Sequence, residues 1–357
     1  MHSGFMRIVK RIPGLGVGSF LLLCYDIDGD NKLEILTEIR DGEIISIDPV
    51  TEAAKYNFVV HGKVLSGIVD DMDNDDKLEM VVCCCPNKVL CIDNGQVVFS
   101  CEVSGIPSTC FSFKTKNGKC LGVVTATFSI DFVCGNRLIN HYQCLPPVAL
   151  IKPLDIDDDG EDEILVLDAT KSLHDLKMVE GELRKREYIR LDLTPIDAEL
   201  IGIHGNMYLI AAAGNKVIMW NVETKTKEIE IDATFRVIKL ISLDYDGDGL
   251  NEVAIISSSQ QSTVIQVFDL EGLEELFTLE IDGFWMPIYS SDVNGDACEE
   301  LILKERKTMI RITGLNIDEI FDLGSQIVAC KTCDLDSDGL NEIIVRTVNE
   351  IVILKAT

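Results

Sequence analysis

The most informative stretch of this 357-residue chain is "YDIDGDNKLEI", residues 25–35. It places Asp26, Asp28, Asp30 and Glu34 at positions 1, 3, 5 and 9 of one short loop, and an apolar run follows. Carboxylates this close together repel one another, so the loop needs a compensating feature. A bound cation and a set of turn-forming hydrogen bonds are the two candidates, and both stay open at this point.

The same acidic phrase recurs five more times along the chain. Each copy has Asp or Asn at positions 1, 3 and 5 and Glu at position 9, and then an apolar run. The phrases start about 45 residues apart or about twice that, so two copies have lost their acids. The candidate ligands in the five further copies are Asp71, Asp73, Asp75 and Glu79; Asp155, Asp157, Asp159 and Glu163; Asp244, Asp246, Asp248 and Glu252; Asp292, Asn294, Asp296 and Glu300; and Asp334, Asp336, Asp338 and Glu342.

Two degenerate units fill the long gaps. "CFSFKTKNGKCLGVVTAT", residues 110–127, has Lys114 and Lys116 where the other copies have acids. "ELIGIHGNMYLIAAAG", residues 199–214, keeps the strand–turn–strand pattern around His204. The chain therefore contains eight units, whose loops start near residues 26, 71, 114, 155, 204, 244, 292 and 334. The loops near 114 and 204 are expected to bind no metal.

Each unit contains four short runs rich in Val and Ile, separated by Gly, Asn and Asp, which is typical of antiparallel strands. Four strands in a unit of about 44 residues is the repeat length of a β-propeller blade. The sequence thus predicts an all-β fold, a single closed propeller over residues 1–357 with eight four-stranded blades. Seven blades stay an alternative if the unit around His204 packs irregularly.

The two ends of the chain complement each other. The last unit has three strands, and a spare strand, "FMRIVKRI" at residues 5–12, precedes the first unit. We expect this N-terminal strand to complete the last blade, because a closed ring leaves no strand edge exposed.

The loops at 155, 244 and 334 follow the pattern D-x-D-x-D-G-x-x-[DE]. In this they resemble the FG-GAP/VCBS repeats of integrin α-subunit propellers, although the Phe-Gly and Gly-Ala-Pro signature and the integrin leg and transmembrane regions are absent. The chain is more similar in character to intracellular FG-GAP-type propellers of ciliary cargo-coat complexes and of a lysosomal nutrient-sensing scaffold. That resemblance implies a platform for protein–protein docking.

The acidic loops have a donor set that suits calcium, which prefers six to eight oxygen ligands at about 2.3–2.6 Å. Gly160, Gly249 and Gly339 occupy position 6, where a calcium loop turns sharply. The loops at 26, 155, 244 and 334 are the strongest candidates, whereas Asp76 in place of glycine weakens the loop at 71 and Asn294 weakens the loop at 292.

An alternative without metal explains the same residues. Asp and Asn at positions 1, 3 and 5 form Asx turns, and Glu at position 9 can anchor the next strand. Magnesium or empty loops are further alternatives to calcium, and in every case the predicted role is structural.

The formal net charge of −28 disfavours binding to phosphate backbones and to anionic lipid. No apolar run reaches the ~18–20 residues that a membrane span needs. We therefore expect no nucleic-acid partner and no direct membrane insertion, and predict other proteins of a multi-subunit complex as the partners.

The thirteen cysteines lack the spacing of a zinc site, and Cys83, Cys84 and Cys85 are consecutive within a strand-like run. Buried thiols in strands behave as small apolar residues. This pattern favours reduced cysteines without a disulfide framework, and a cytoplasmic location.

No catalytic motif is present, so the sequence predicts a non-catalytic intracellular scaffold. The alternative is a secreted calcium-dependent propeller that binds glycans or acts on polysaccharides. A cytosolic calcium sensor is a third interpretation, disfavoured because loops within closed blades have little room to switch. Counting free thiols distinguishes the first two.

Overall fold

A computed structural model describes residues 5–13, 20–27, 29–93, 95–272, 274–305, 309–314 and 318–356. These residues form eight antiparallel sheets of four strands each, and none of them lies in a helix. Accordingly, we find in this part of the chain no helical segment with the length and apolar character that crossing a membrane requires.

Blades 1 to 4 each consist of four consecutive strands. Blade 1 contains β2 (Leu22–Tyr25), β3 (Glu34–Arg40), β4 (Glu43–Ile47) and β5 (Ala54–Val59). Blade 2 contains β6 (Val64–Asp70), β7 (Glu79–Cys84), β8 (Lys88–Asp93) and β9 (Gln96–Glu102). Blade 3 contains β10 (Pro107–Thr115), β11 (Gly118–Thr125), β12 (Ser129–Cys134) and β13 (Arg137–Gln143). Blade 4 contains β14 (Val148–Leu154), β15 (Glu163–Asp168), β16 (Ser172–Val179) and β17 (Glu182–Arg190).

Blades 5 to 7 repeat this order, and blade 8 takes its fourth strand from the N-terminus. Blade 5 contains β18 (Asp197–Ile203), β19 (Asn206–Ala213), β20 (Lys216–Asn221) and β21 (Thr226–Asp232). Blade 6 contains β22 (Arg236–Leu243), β23 (Glu252–Ser258), β24 (Ser262–Phe268) and β25 (Glu275–Asp282). Blade 7 contains β26 (Trp285–Ser291), β27 (Glu300–Glu305), β28 (Met309–Thr313) and β29 (Asp318–Asp322). Blade 8 contains β30 (Ile327–Cys333), β31 (Glu342–Thr347), β32 (Glu350–Ala356) and β1 (Met6–Pro13).

The blades form a closed ring. The first strand of every blade contacts the first strands of both neighbours, and β30 of blade 8 contacts β2 of blade 1. Each interface between adjacent blades holds one hydrophobic cluster; the cluster between blades 8 and 1 includes Ile12, Leu22 and Ile344. The eight-bladed propeller is therefore confirmed. The alternative of seven blades is wrong, because the unit around His204 forms a regular blade, β18–β21.

The N-terminal strand closes blade 8, as predicted. β1 pairs antiparallel with β32, with Met6 opposite Ala356 and Ile12 opposite Ile351. Met6 and Ile12 are buried, whereas Val9 bulges out of the ladder and is exposed. Closure thus leaves β32 paired on both sides.

Position within the blade explains the residue pattern of each strand. Every residue of β7, β15 and β31 is buried, because a second strand is covered on both faces by neighbouring blades. Such strands are continuous apolar runs, whereas the outer strands are largely exposed. The basic segment "ELRKREYIR" is an outer strand, β17.

One disulfide corrects the expectation that all cysteines are reduced. Cys120 of β11 is bonded to Cys134 of β12, with the two Cα atoms 4.6 Å apart. Because Leu121 pairs with Val133, these cysteines lie directly opposite each other, which their sequence spacing does not reveal. The other eleven cysteines are free, and burial raises the pKa of Cys84 and of Cys91 to about 12, which suppresses thiolate reactivity.

Candidate metal-binding loops

The six acidic loops occupy equivalent places in blades 1, 2, 4, 6, 7 and 8. In each blade the loop joins the first strand to the second, so that all six lie on one face of the ring. Position 1 directly follows the first strand, and the glutamate at position 9 is the first residue of the second strand. Of the predicted ligands, Asp28 alone lies outside the described residues.

The glutamate at position 9 anchors the loop. All six glutamates are at most 3% exposed. The Oε2 atom of each accepts a hydrogen bond from the backbone N–H at position 2, with N···O distances from 2.6 Å at Met72 to 3.0 Å at Ile27. The pairs are Ile27–Glu34, Met72–Glu79, Ile156–Glu163, Tyr245–Glu252, Val293–Glu300 and Leu335–Glu342.

The aspartates at positions 1 and 5 shape the turn itself. The carboxylate at position 1 accepts the backbone N–H of position 6 in every loop, as Asp334 does from Gly339 at 2.9 Å. The carboxylate at position 5 accepts the N–H of position 7, as Asp338 does from Leu340 at 3.0 Å. The acids therefore form the turn by hydrogen bonds to the backbone, whether or not a metal is present.

Position 6 has a positive φ in all six loops. Gly160, Gly249 and Gly339 adopt it at φ of 84° to 90°. Asn31 and Asp76 adopt the same left-handed region at 64° and 66°. Asp76 in place of glycine therefore does not change the backbone path of the loop at 71, since Asn and Asp enter this region at little cost.

In three loops a lysine ammonium lies among the carboxylates. Lys55 Nζ is 3.3 Å from Asp30 and 2.7 Å from Glu34 in the loop at 26. In the loop at 155, the Nζ of Lys177 lies 3.1 Å from position 3, 2.7 Å from position 5 and 2.5 Å from position 9. In the loop at 334, Lys355 makes the same three contacts at 2.6, 2.8 and 2.6 Å.

In the loops at 155 and 334 the lysine contact at position 9 is an ion pair rather than an aligned hydrogen bond, since the Oε1 atoms of Glu163 and Glu342 have no hydrogen-bond partner. Burial lowers the pKa of Lys177, but the carboxylates of Asp159, Glu163 and Asp157 around its ammonium outweigh this and raise the pKa above its ordinary value. The lysine therefore stays charged at physiological pH.

In the loop at 292 the side-chain amide of Asn294 takes the place of the lysine ammonium. Asn294 Nδ2 donates to Glu300 Oε1 at 2.8 Å and to Asp296 Oδ2 at 3.3 Å. The amide carries no charge, and the pKa of Glu300 is raised to about 8 by burial and by the nearby Asp296 and Asp292.

The loops at 71 and 244 hold no such donor among the described side chains. The ligand atoms of Asp71, Asp73 and Glu79 lie within 4.8 Å of one another. The same holds for Asp244, Asp246 and Asp248, and the pKa of Glu252 beside them is raised to about 7 by burial and by these three acids. In the loop at 71, Lys77 contacts Asp75 alone and is 69% exposed. Apart from this ion pair, no lysine or arginine contacts the carboxylates of these two loops among the described side chains, and their donor set fits a divalent cation.

Residues at position 8 tie the loops at 155 and 292 to the preceding blade, a role that sequence reasoning missed. Asp162 accepts the N–H of Lys114 at 2.6 Å and donates its own N–H to the carbonyl of Lys114 at 2.9 Å. Glu299 makes the equivalent pair of bonds with Asp244, at 3.3 and 2.7 Å. Position 8 faces another blade, so the pattern within one repeat carries no signal for it.

The two degenerate units have tight turns in place of acidic loops. β10 ends at Thr115 and β11 begins at Gly118, while β18 ends at Ile203 and β19 begins at Asn206. Neither turn brings carboxylates together, so the expectation of no metal there stays a prediction that the geometry favours.

Solved structures resemble this chain over almost its full length. BamB from Moraxella catarrhalis superimposes with a TM-score of 0.66 at 13% identity, covering 98% of this chain and 100% of that one. The Dos1 propeller superimposes with a TM-score of 0.62 at 9% identity, covering 99% and 97%. BBS1N, solved in complex with ARL6DN, gives 0.59 at 10% identity, covering 99% and 98%.

The likeness is one of fold alone. No family model matches the chain, and no curated protein sequence matches it. The comparisons thus agree with the eight-bladed propeller, while the resemblance to FG-GAP repeats stays a prediction.

Proposed function

We propose that this chain is a non-catalytic, cytoplasmic, FG-GAP-type propeller that serves as a protein-binding subunit of a larger complex. The observation that carries the proposal is a set of exposed apolar side chains on the outer strands of three consecutive blades, 8, 1 and 2. This set, the apolar rim, consists of Val9, Tyr56, Val59, Val97 and Val98.

The rim differs from the other outer strands in its composition. Val59 is 74% exposed, and Val97 and Val98 are 53% and 56% exposed. β5 and β9 carry two such side chains each, whereas β13, β25 and β29 carry one each and β21, "TKEIEID", carries none. The three single residues are Leu138, Leu276 and Ile320. Several exposed apolar side chains on consecutive outer strands of a folded domain favour a protein-interaction surface.

The fold comparison supports protein binding in general terms. BBS1N, which has the same fold, was solved as a complex with another protein, ARL6DN. At 10% identity the comparison does not carry that partner over to this chain.

One serine–histidine–aspartate group lacks the contact that a catalytic triad needs. Ser104 Oγ donates to Asp131 Oδ1 at 3.0 Å, and His141 Nδ1 contacts the same oxygen at 2.6 Å. A nucleophilic serine would need to contact the histidine directly. Ser104 and His141 therefore both bind the buried carboxylate of Asp131, and in this group the histidine is not placed to take a proton from the serine.

Charge substitutions on the rim test the proposal. The full-length chain carrying Val59→Asp and Val97→Asp is expected to lose its stoichiometric protein companions, with affinity falling more than tenfold, because both side chains would lose apolar contact area. The matched control is Ile320→Asp, a 49% exposed apolar residue on the outer strand of blade 7, which should keep the companions. Affinity isolation with quantitative mass spectrometry measures this. Retention by the double variant would exclude the rim, and a wild-type chain without companions would exclude the function.

Calcium, or magnesium in its place, fits the loops at 71 and 244. Asp71, Asp73, Asp75 and Glu79 would hold the ion in the first loop, and Asp244, Asp246, Asp248 and Glu252 in the second. A bound ion would supply positive charge that stabilises the turn. The role we propose is structural, since the turn hydrogen bonds already exist without it.

The disulfide favours a second candidate function, that of a secreted propeller that binds glycans or acts on polysaccharides. A Cys120–Cys134 bond is typical of an oxidising compartment, whereas eleven free cysteines are not. Alkylation at the moment of lysis, followed by mass measurement, separates the two. Because a reducing compartment would open the Cys120–Cys134 bond, the cytoplasmic proposal predicts thirteen alkylated cysteines in the cell, and eleven would favour the secreted alternative.

A further inference from the structure

Three of the six acidic loops contain their own cation. We infer that Lys55, Lys177 and Lys355 replace the metal in the loops at 26, 155 and 334, so that these loops bind no calcium despite their acids. In the latter two loops, the ammonium contacts positions 3, 5 and 9, the side chains that a calcium ion would use. Its Nζ···O distances of 2.5 to 3.1 Å place it where the ion would lie.

The strand register explains why these two blades have a built-in cation. Leu176 pairs with Ile164, so that Lys177, the next residue, lies opposite Glu163. Leu354 pairs with Ile343 in the same way, which places Lys355 opposite Glu342. A lysine at this cross-strand position reaches into the loop from the third strand of its own blade.

The corresponding position has no lysine in the other acidic blades. By the same register it is Asp93 in blade 2, Asp269 in blade 6 and Gly314 in blade 7. The cross-strand residue therefore distinguishes the loops at 155 and 334 from the loops at 71 and 244.

In blade 1 the lysine that contacts the acidic loop comes from a different strand. Asp48 lies opposite Glu34 there, since Ile47 pairs with Ile35. Lys55 comes instead from the outer strand β5, and its ammonium is 2.7 Å from Glu34 Oε1. Two separate positions in the blade thus deliver an ammonium to the same glutamate, which argues that the loop requires a positive charge and that the lysine supplies it.

Calcium titration of lysine variants tests the inference directly. Lys177→Met and Lys355→Met in the full chain should each gain one calcium site relative to wild type, with a dissociation constant in the range of about 10⁻⁴ to 10⁻³ M or tighter. Isothermal titration with calcium chloride after chelator treatment measures the number of sites. The matched control is Lys216→Met, because Lys216 also lies between two acids, Glu230 and Asp232, but outside any loop. It should gain none.

A second variant tests the wild-type loops without touching the lysines. Asp73→Ala, Asp246→Ala and Asp296→Ala together alter the three loops that hold no lysine ammonium and leave the loops at 26, 155 and 334 intact. No calcium should bind to this triple variant, and calcium binding by it would overturn the inference. Folded lysine variants that gain no site would overturn it as well. If those variants fail to fold, the titration of the triple aspartate variant decides.

Discussion

Deleting residues 1–13 is expected to open the ring and to abolish cooperative folding of the remaining residues. The deletion removes β1, exposes the edge of β32 and uncovers the cluster between blades 8 and 1. Met6 and Ile12 each bury an apolar side chain worth about 2 kcal/mol, and the ladder hydrogen bonds add about 1 kcal/mol each. Their sum reaches the ~5–15 kcal/mol that stabilises a domain. Solubility and thermal unfolding measure the result.

A pair of point variants on the same strand controls for the deletion. Ile12→Asp places a charge at a site that is 5% exposed, and should cost more than about 3 kcal/mol. Val9→Asp alters the bulge residue, which is 42% exposed, and should cost less than about 0.5 kcal/mol. Equal effects of the two variants would contradict the register of β1 on β32.

Glu342→Ala is expected to destabilise the protein by about 3 kcal/mol. The substitution leaves the buried N–H of Leu335 without its acceptor and removes one of the carboxylates around Lys355. Urea unfolding, monitored by tryptophan fluorescence, gives the free energy of unfolding.

Glu342→Gln removes the charge of this side chain but keeps the oxygen that accepts the loop's hydrogen bond. The glutamine oxygen can still accept from Leu335, and burial, which raises the pKa of Glu342, no longer acts on a charged group. This variant should lose no more than about 1 kcal/mol. A loss as large as that of alanine would mean that the ion pair with Lys355, and not the hydrogen bond, holds the loop.

The fold could be predicted from the sequence because the same pattern of strands and turns recurs in each blade. Position 1 follows a strand and position 9 begins the next, so the acidic phrase marks both strands in every blade that carries it. The spare strand at residues 5–12 was predictable because the last unit lacks a fourth strand. Even the blade around His204, which lacks acids, kept its strand–turn–strand pattern.

The state of the loops could not be predicted in the same way. Four carboxylates favoured calcium equally at 26, 155, 244 and 334, because the residues that distinguish these loops lie outside the phrase. Lys177 and Lys355 come from the third strand and Lys55 from the fourth, and their relevance depends on cross-strand register. Cys120 and Cys134 were missed for the same reason.

Site-specific photo-crosslinking in cells tests the docking proposal most directly. A photoreactive residue replaces Val59 of the apolar rim in one full-length chain and Ile320 on blade 7 in another. The account predicts abundant cross-links to a defined set of companion proteins from position 59 and few from position 320. A chain that forms no cross-links at position 59, or forms them equally at both positions, would contradict it.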